Sequence, residues 1–95
     1  MKKKLISIVI PCYNEEENIP RVYKAILNEI HPLKKYIFEF IFVDNGSTDH
    51  SRKEISRIAA IDKRIRGIFL SRNFGPEAST QAGFNFSKGD AVISC

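Results

Sequence analysis

Four short apolar runs set the strongest limit on what this chain can become. They are "LISIVI" (Leu5 to Ile10), "FEFIFV" (Phe38 to Val43), "RGIFL" (Arg66 to Leu70) and "AVISC" (Ala91 to Cys95). Each is rich in β-branched or aromatic residues and falls within strand length. Near-continuous apolarity marks strands covered on both faces, the signature of a parallel sheet.

Helical patterns fill the gaps. In "NIPRVYKAILNEI" the residues Ile19, Val22, Tyr23, Ile26, Leu27 and Ile30 share one helical face, with Asn18 as cap and Pro20 in the first turn. A second helix is predicted from Thr48 or Asp49 to Ala60, capped by Ser47 or Asp49, with Ile55, Ile58 and Ala59 inward. A third is predicted over Pro76 to Phe86, with Ala78, Ala82 and Phe86 inward and Gly89 as the stop. The order is β-α-β-α-β-α-β, and right-handed crossovers place helices on both faces of one parallel sheet. The expectation is a single α/β unit over residues 1–95, a three-layer Rossmann-like fold. Its last strand runs to Cys95, and a parallel strand entered through a helix is usually interior, so a longer protein is expected.

Composition narrows the class. Apolar residues make up 43% of the chain and arrive in blocks, which argues against disorder. No apolar run approaches the roughly 20 residues of a membrane span. "MKKKLISIVIPCYNE" mimics a signal peptide, but its apolar run ends at Pro11 without a small-residue cleavage site, so a cytosolic strand is predicted. Cys12 and Cys95 lack metal-ligand spacing and read as reduced, structural thiols. The net charge of +4 concentrates in Lys2–Lys4 and in His50 to Arg66. It reads as solvated faces, or as attraction to an anionic membrane surface or phosphorylated ligand. No nucleic-acid motif is present.

Ligands of open α/β sheets bind beyond the carboxyl ends of the strands. Here those ends carry "PCYNEEEN", "DNGSTD" and "SRNFGPE", so polar groups from three strands converge on one rim. Asn14, Glu16 and Glu17 suit a helix entry, whereas Tyr13 and Glu15 suit stacking on a base and accepting from sugar hydroxyls. Asp44 either holds its own turn through backbone amides or accepts N–H groups of uracil or guanine. Gly46 permits a positive φ. Arg72 either lies on the surface or neutralises a diphosphate, and Asn73 either caps or binds.

"IVIPCYNEEENI", "FIFVDNGSTD", "LSRNFGPEASTQAG" and "KGDAVISC", in this order and spacing, resemble family 2 glycosyltransferases with a GT-A fold. The nearest subgroup is the polyprenyl-phosphate sugar transferases, including the dolichol-phosphate mannosyltransferases. The resemblance implies strand order 3-2-1-4 and transfer of a sugar from a UDP- or GDP-linked donor. The implied acceptor is a lipid phosphate or glycan at the cytosolic face of the membrane. Carried over, Pro11, Tyr13, Glu15 and Asp44 line the nucleoside pocket, joined by Asn45, and Arg72, Asn73, Gly75, Gln81 and Gly83 approach the nucleotide and diphosphate.

Two departures stand out. Asn45 replaces the second Asp of many members, keeping hydrogen bonding but not charge. Pro76 replaces a basic or polar residue and removes a phosphate donor. In the family the strand matching "AVISC" runs into an Asp-x-Asp motif that holds Mg or Mn on the donor. That motif lies beyond Cys95, so neither catalytic nor metal residues are assigned, and the 95-residue chain alone is expected to be inactive. Its last strand is also expected to be an exposed edge that promotes self-association. The rival reading is a non-catalytic α/β nucleotide-binding or interaction module. A dinucleotide-binding variant would need G-x-G-x-x-G after the first strand, which "PCYNEE" does not supply.

Overall fold

The computed structural model describes residues 3–94, with side chains to Val92. Strands β1 (Lys4–Cys12), β2 (Tyr36–Asp44), β3 (Ile65–Phe69) and β4 (Ala91–Ser94) alternate with helices α1 (Ile19–Ile30), α2 (Ser51–Ile61) and α3 (Pro76–Phe86). All strand pairs are parallel and the sheet order is β3-β2-β1-β4, as the resemblance implied. β4 forms one edge, with Ala91 and Val92 exposed.

Alternation along the strands builds two cores. Ile8, Ile10 and Cys12 of β1 and Phe38, Phe40 and Phe42 of β2 face α1 and α2, packing against Ile19, Ile55 and Ile58. Val9, Ile41 and Val43 face the other way, against Ile68, Leu70 and Ala82. Phe40 and Phe42 are fully buried, each worth about 1.5–3 kcal/mol of apolar transfer. Tyr23 donates to Asp62 Oδ2 (2.7 Å) and so ties α1 to the end of α2.

α3 has the predicted bounds and Ala82 packs inward as predicted, but Phe86 does not. Phe86 is 56% exposed, and the buried positions are Ser79 and Gly83. A Cβ on Gly83 would lie 2.2 Å from Val9 Cγ1. The helix therefore approaches the sheet on its smallest residues, and a bulky inward Phe has no room. Gly89 does not end the helix either. The chain leaves α3 at Ser87, and Gly89 sits against β1, where a Cβ would be 2.4 Å from Ser7 Oγ. α2 begins at Ser51, later than predicted, because residues 47–49 are engaged by the loop after β1. Asn18 does not cap α1 with its side chain, which donates to Glu15 Oε2 (2.7 Å). Cys12 is a free, buried thiol, and Cys95 lies outside the described residues.

Candidate functional site

The loops after β1, β2 and β3 meet on one rim and are buckled together by short-range chemistry. Asn14, at φ 51°, accepts at Oδ1 from the Thr48 amide (2.8 Å) and donates its own amide to Ser47 Oγ (2.9 Å). Ser47 thus joins two loops and caps no helix, and Asp49 holds the amides of Ser51 (2.8 Å) and Glu16 (3.2 Å). Gly46, at φ 77°, is the joint to the third loop. A Cβ there would be 2.2 Å from the Arg72 carbonyl carbon.

Strand alternation then sorts the rim into two sides. Pro11 and Asn45 fall on the α3 side and, with Cys12, Tyr13, Asn73, Pro76 and Ser79, line a cleft of about 230 Å³. Tyr13 is 44% exposed. Asn45 is buried; its Oδ1 accepts from the Phe74 amide (3.0 Å) and its Nδ2 donates to the Gly75 carbonyl (2.9 Å). That leaves one lone pair and one N–H available. Asn73 Oδ1 accepts from the Gly75 amide (2.8 Å). Gly75, at φ 93°, turns the chain into α3, with Pro76 in the first turn. Pro is suited to that turn, and the amides that follow it have no intrahelical partner.

Other predicted residues lie elsewhere. Asp44 falls on the opposite side, towards α2, and is fully buried. Its Oδ2 accepts from the Ser47 amide (3.1 Å), the turn-holding role, while Arg52 Nε stands 4.0 Å away. Its Oδ1 is buried with no hydrogen-bond partner among the described residues. Glu15 borders a separate cavity of about 310 Å³ under α1. Arg72 stacks its guanidinium 4.8 Å from the Phe74 ring centre. Gln81 is exposed and donates to Asn85 Oδ1 (2.9 Å). Gly83 serves the α3–β1 contact already described.

Cys12 and Ser79 also line the cleft, although sequence reasoning gave them no role. Strand alternation flags neither, because Cys12 belongs to the other face and reaches the cleft only at the strand tip. Burial, and then the charges of Asp44 and Glu15, push the Cys12 thiol up to about 12, so it is neutral and unreactive at pH 7. Among the described residues no group of three or more His, Cys, Asp or Glu can hold a metal.

The sequence itself matches a known family. The family model "Glycosyl transferase family 2" matches residues 7–95. The chain belongs to this family. CsbB of Bacillus subtilis (strain 168) is 41% identical over 93 residues, covering 98% of this chain and 28% of that protein. The undecaprenyl-phosphate 4-deoxy-4-formamido-L-arabinose transferase of Proteus mirabilis (strain HI4320) is 40% identical over 90 residues, covering 94% of this chain and 27% of that one. This family 2 chain thus spans little more than a quarter of the length of the curated relatives it matches. Its fold matches that of the mannosyltransferase PcManGT from Pyrobaculum calidifontis, solved with GDP-Man and Mn2+. The TM-score is 0.76 at 20% identity, over 97% of this chain and 27% of that one. No described helix is long and apolar enough to cross a membrane.

Proposed function

We propose that the cleft is the donor-nucleotide site of a glycosyltransferase that moves a sugar from a UDP- or GDP-linked donor to a polyprenyl phosphate. The observation that carries this reading is the meeting of Tyr13, Asn45 and Asn73 in one cleft at the carboxyl ends of the strands. An exposed Tyr offers a stacking face for a base, worth about 1–3 kcal/mol by analogy with other base–aromatic contacts. The spare lone pair and N–H of Asn45 match a base edge that carries both a donor and an acceptor. The amino end of α3 beside Asn73 favours a phosphate. Pro11 and Pro76 shape the wall, and Glu15, Asp44 and Arg72 lie outside it.

In the parent reaction an oxygen of the acceptor phosphate bonds to the anomeric carbon. The bond from that carbon to the diphosphate breaks, releasing the nucleoside diphosphate. The acceptor is already an anion and needs no strong base. In the complete enzyme a divalent metal, Mg or Mn, would stabilise the departing diphosphate. A relative named as an undecaprenyl-phosphate transferase supports the acceptor class, and a reaction at the cytosolic membrane face is part of the proposal. Isothermal titration of the folded chain with UDP, GDP and ADP tests the reading. Binding of UDP or GDP that weakens in Tyr13→Ala is expected; no heat with any of the three would overturn it.

A further inference from the structure

The end of the sheet remote from the cleft holds a second buried polar cluster, and the proposed nucleotide site does not use it. Glu39 interrupts the apolar run of β2 on the α3 side and is 8% exposed. Three donors from separate parts of the chain converge on its carboxylate. Ser7 of β1 donates its hydroxyl to Oε2, the Lys88 amide donates to the same oxygen (2.7 Å), and Arg66 of β3 donates to Oε1 (3.0 Å). The Gly89 amide in turn donates to Ser7 Oγ (2.8 Å), and Arg66 also reaches the Phe86 carbonyl (2.8 Å). One residue further, the Asp90 amide donates to the Leu5 carbonyl (2.8 Å) and the Leu5 amide to Asp90 Oδ2 (2.9 Å).

These bonds act on one segment, the turn at residues 87–90 that leads from α3 into β4. That turn has neither a helix nor a strand to hold it, and among the described residues β4 pairs with β1 along four residues. We propose that Glu39 is the positioning residue for β4: its carboxylate, braced by Ser7 and Arg66, captures the turn and thereby sets where β4 enters the sheet. β4 runs parallel to β1 and points to the rim that carries the cleft. Whatever β4 delivers to that rim is placed from the far end by Glu39. The proposal concerns the seating of β4 and stands whether or not the cleft takes a nucleotide.

The chemistry of the carboxylate is specific. An amide in its place carries one acceptor oxygen and one NH2 group. The NH2 would face either Arg66 or both Ser7 and Lys88, so one set of bonds must open. Burial pushes the Glu39 carboxyl up, but the bonds from Ser7, the Lys88 amide and Arg66 together outweigh it and hold it below the ordinary value. Among the described residues no other acid faces it. Asp90 is turned to the Leu5 amide, and α3 contributes only the Phe86 carbonyl, to Arg66.

Amide exchange followed residue by residue in the 15N-labelled chain tests this. In Glu39→Gln, exchange at Lys88, Gly89 and the β4 amides should rise about tenfold or more relative to the β2 amides, the effect of losing one charge-assisted bond. In the unsubstituted chain the Lys88 amide proton shift should titrate with a midpoint below the ordinary glutamate value. A rise shared equally by β2 and β4, no rise at all, or a Lys88 shift that titrates at or above the ordinary glutamate value would overturn the proposal. Should Glu39→Gln not fold, Ser7→Ala is read the same way, since it removes the Gly89 acceptor and one donor to Glu39. UDP affinity is a separate readout: its absence in the unsubstituted chain would sink the nucleotide reading and leave this one standing.

Discussion

β2 buries two carboxylates, and the protein treats them oppositely. Glu39, on the α3 side, accepts from Ser7, Lys88 and Arg66. Asp44, at the strand tip on the α2 side, accepts one amide bond, and its Oδ1 has no partner among the described residues. A buried polar group without a partner costs free energy, whereas a saturated one costs little. The contrast separates the two ends of the sheet. At the Glu39 end every bond closes on the protein itself. At the rim, Asn45 keeps a lone pair and an N–H and Tyr13 stays exposed, as the proposed nucleotide site requires, while Asp44 Oδ1 is buried away from the cleft.

The largest expected effect breaks the rim itself. Gly46→Ala forces a Cβ into the Arg72 backbone at a positive φ, and should cost about 3 kcal/mol or more in urea unfolding. Next, Glu39→Gln should lose about 2 kcal/mol, because one of its bonded neighbours is left facing an NH2 group. Third, Tyr13→Ala should weaken nucleotide binding about tenfold while leaving the urea midpoint nearly unchanged, since the ring is half exposed. Acid comes fourth. Glu39 is held below its ordinary value as described, and Asp62 is held low by its Arg64 partner first, against burial, with help from Tyr23. A carboxyl lowered in the folded state contributes stability above its unfolded value and loses it as pH falls through the folded one. Thermal scans should therefore show stability falling below about pH 4, and less steeply in Glu39→Gln. Smallest is Asp44→Asn, which should change stability by less than about 0.5 kcal/mol, because the amide oxygen still accepts from Ser47. A cost equal to that of Glu39→Gln would erase the distinction between the two ends.

Much of this was legible in the sequence. The four apolar runs became the four strands, the helical spacing of Ile19 to Ile30 became α1, and Pro76 opened α3. What escaped was long-range. Asn14 and Ser47 look like caps because capping is a local rule, yet both spend their bonds across loops. Asp44 and Asn45 are neighbours in sequence, and only their alternation on the strand sends one beneath α2 and the other into the cleft. Helical spacing puts Phe86 inward, whereas the close approach of Gly83 to Val9 leaves no room for it. Glu39 did leave a trace. An acid inside "FEFIFV", opposite a Ser inside "LISIVI", is a polar pair in two otherwise apolar strands, and the parallel register does place Ser7 beside Glu39.

The rim cleft is tested most directly by 15N chemical-shift mapping of the chain titrated with UDP and with GDP. One of them should move Tyr13, Asn45, Asn73 and Ser79 together, with Lys88 and Gly89 unmoved. Shifts gathered elsewhere on the surface, or none with either nucleotide, would contradict it.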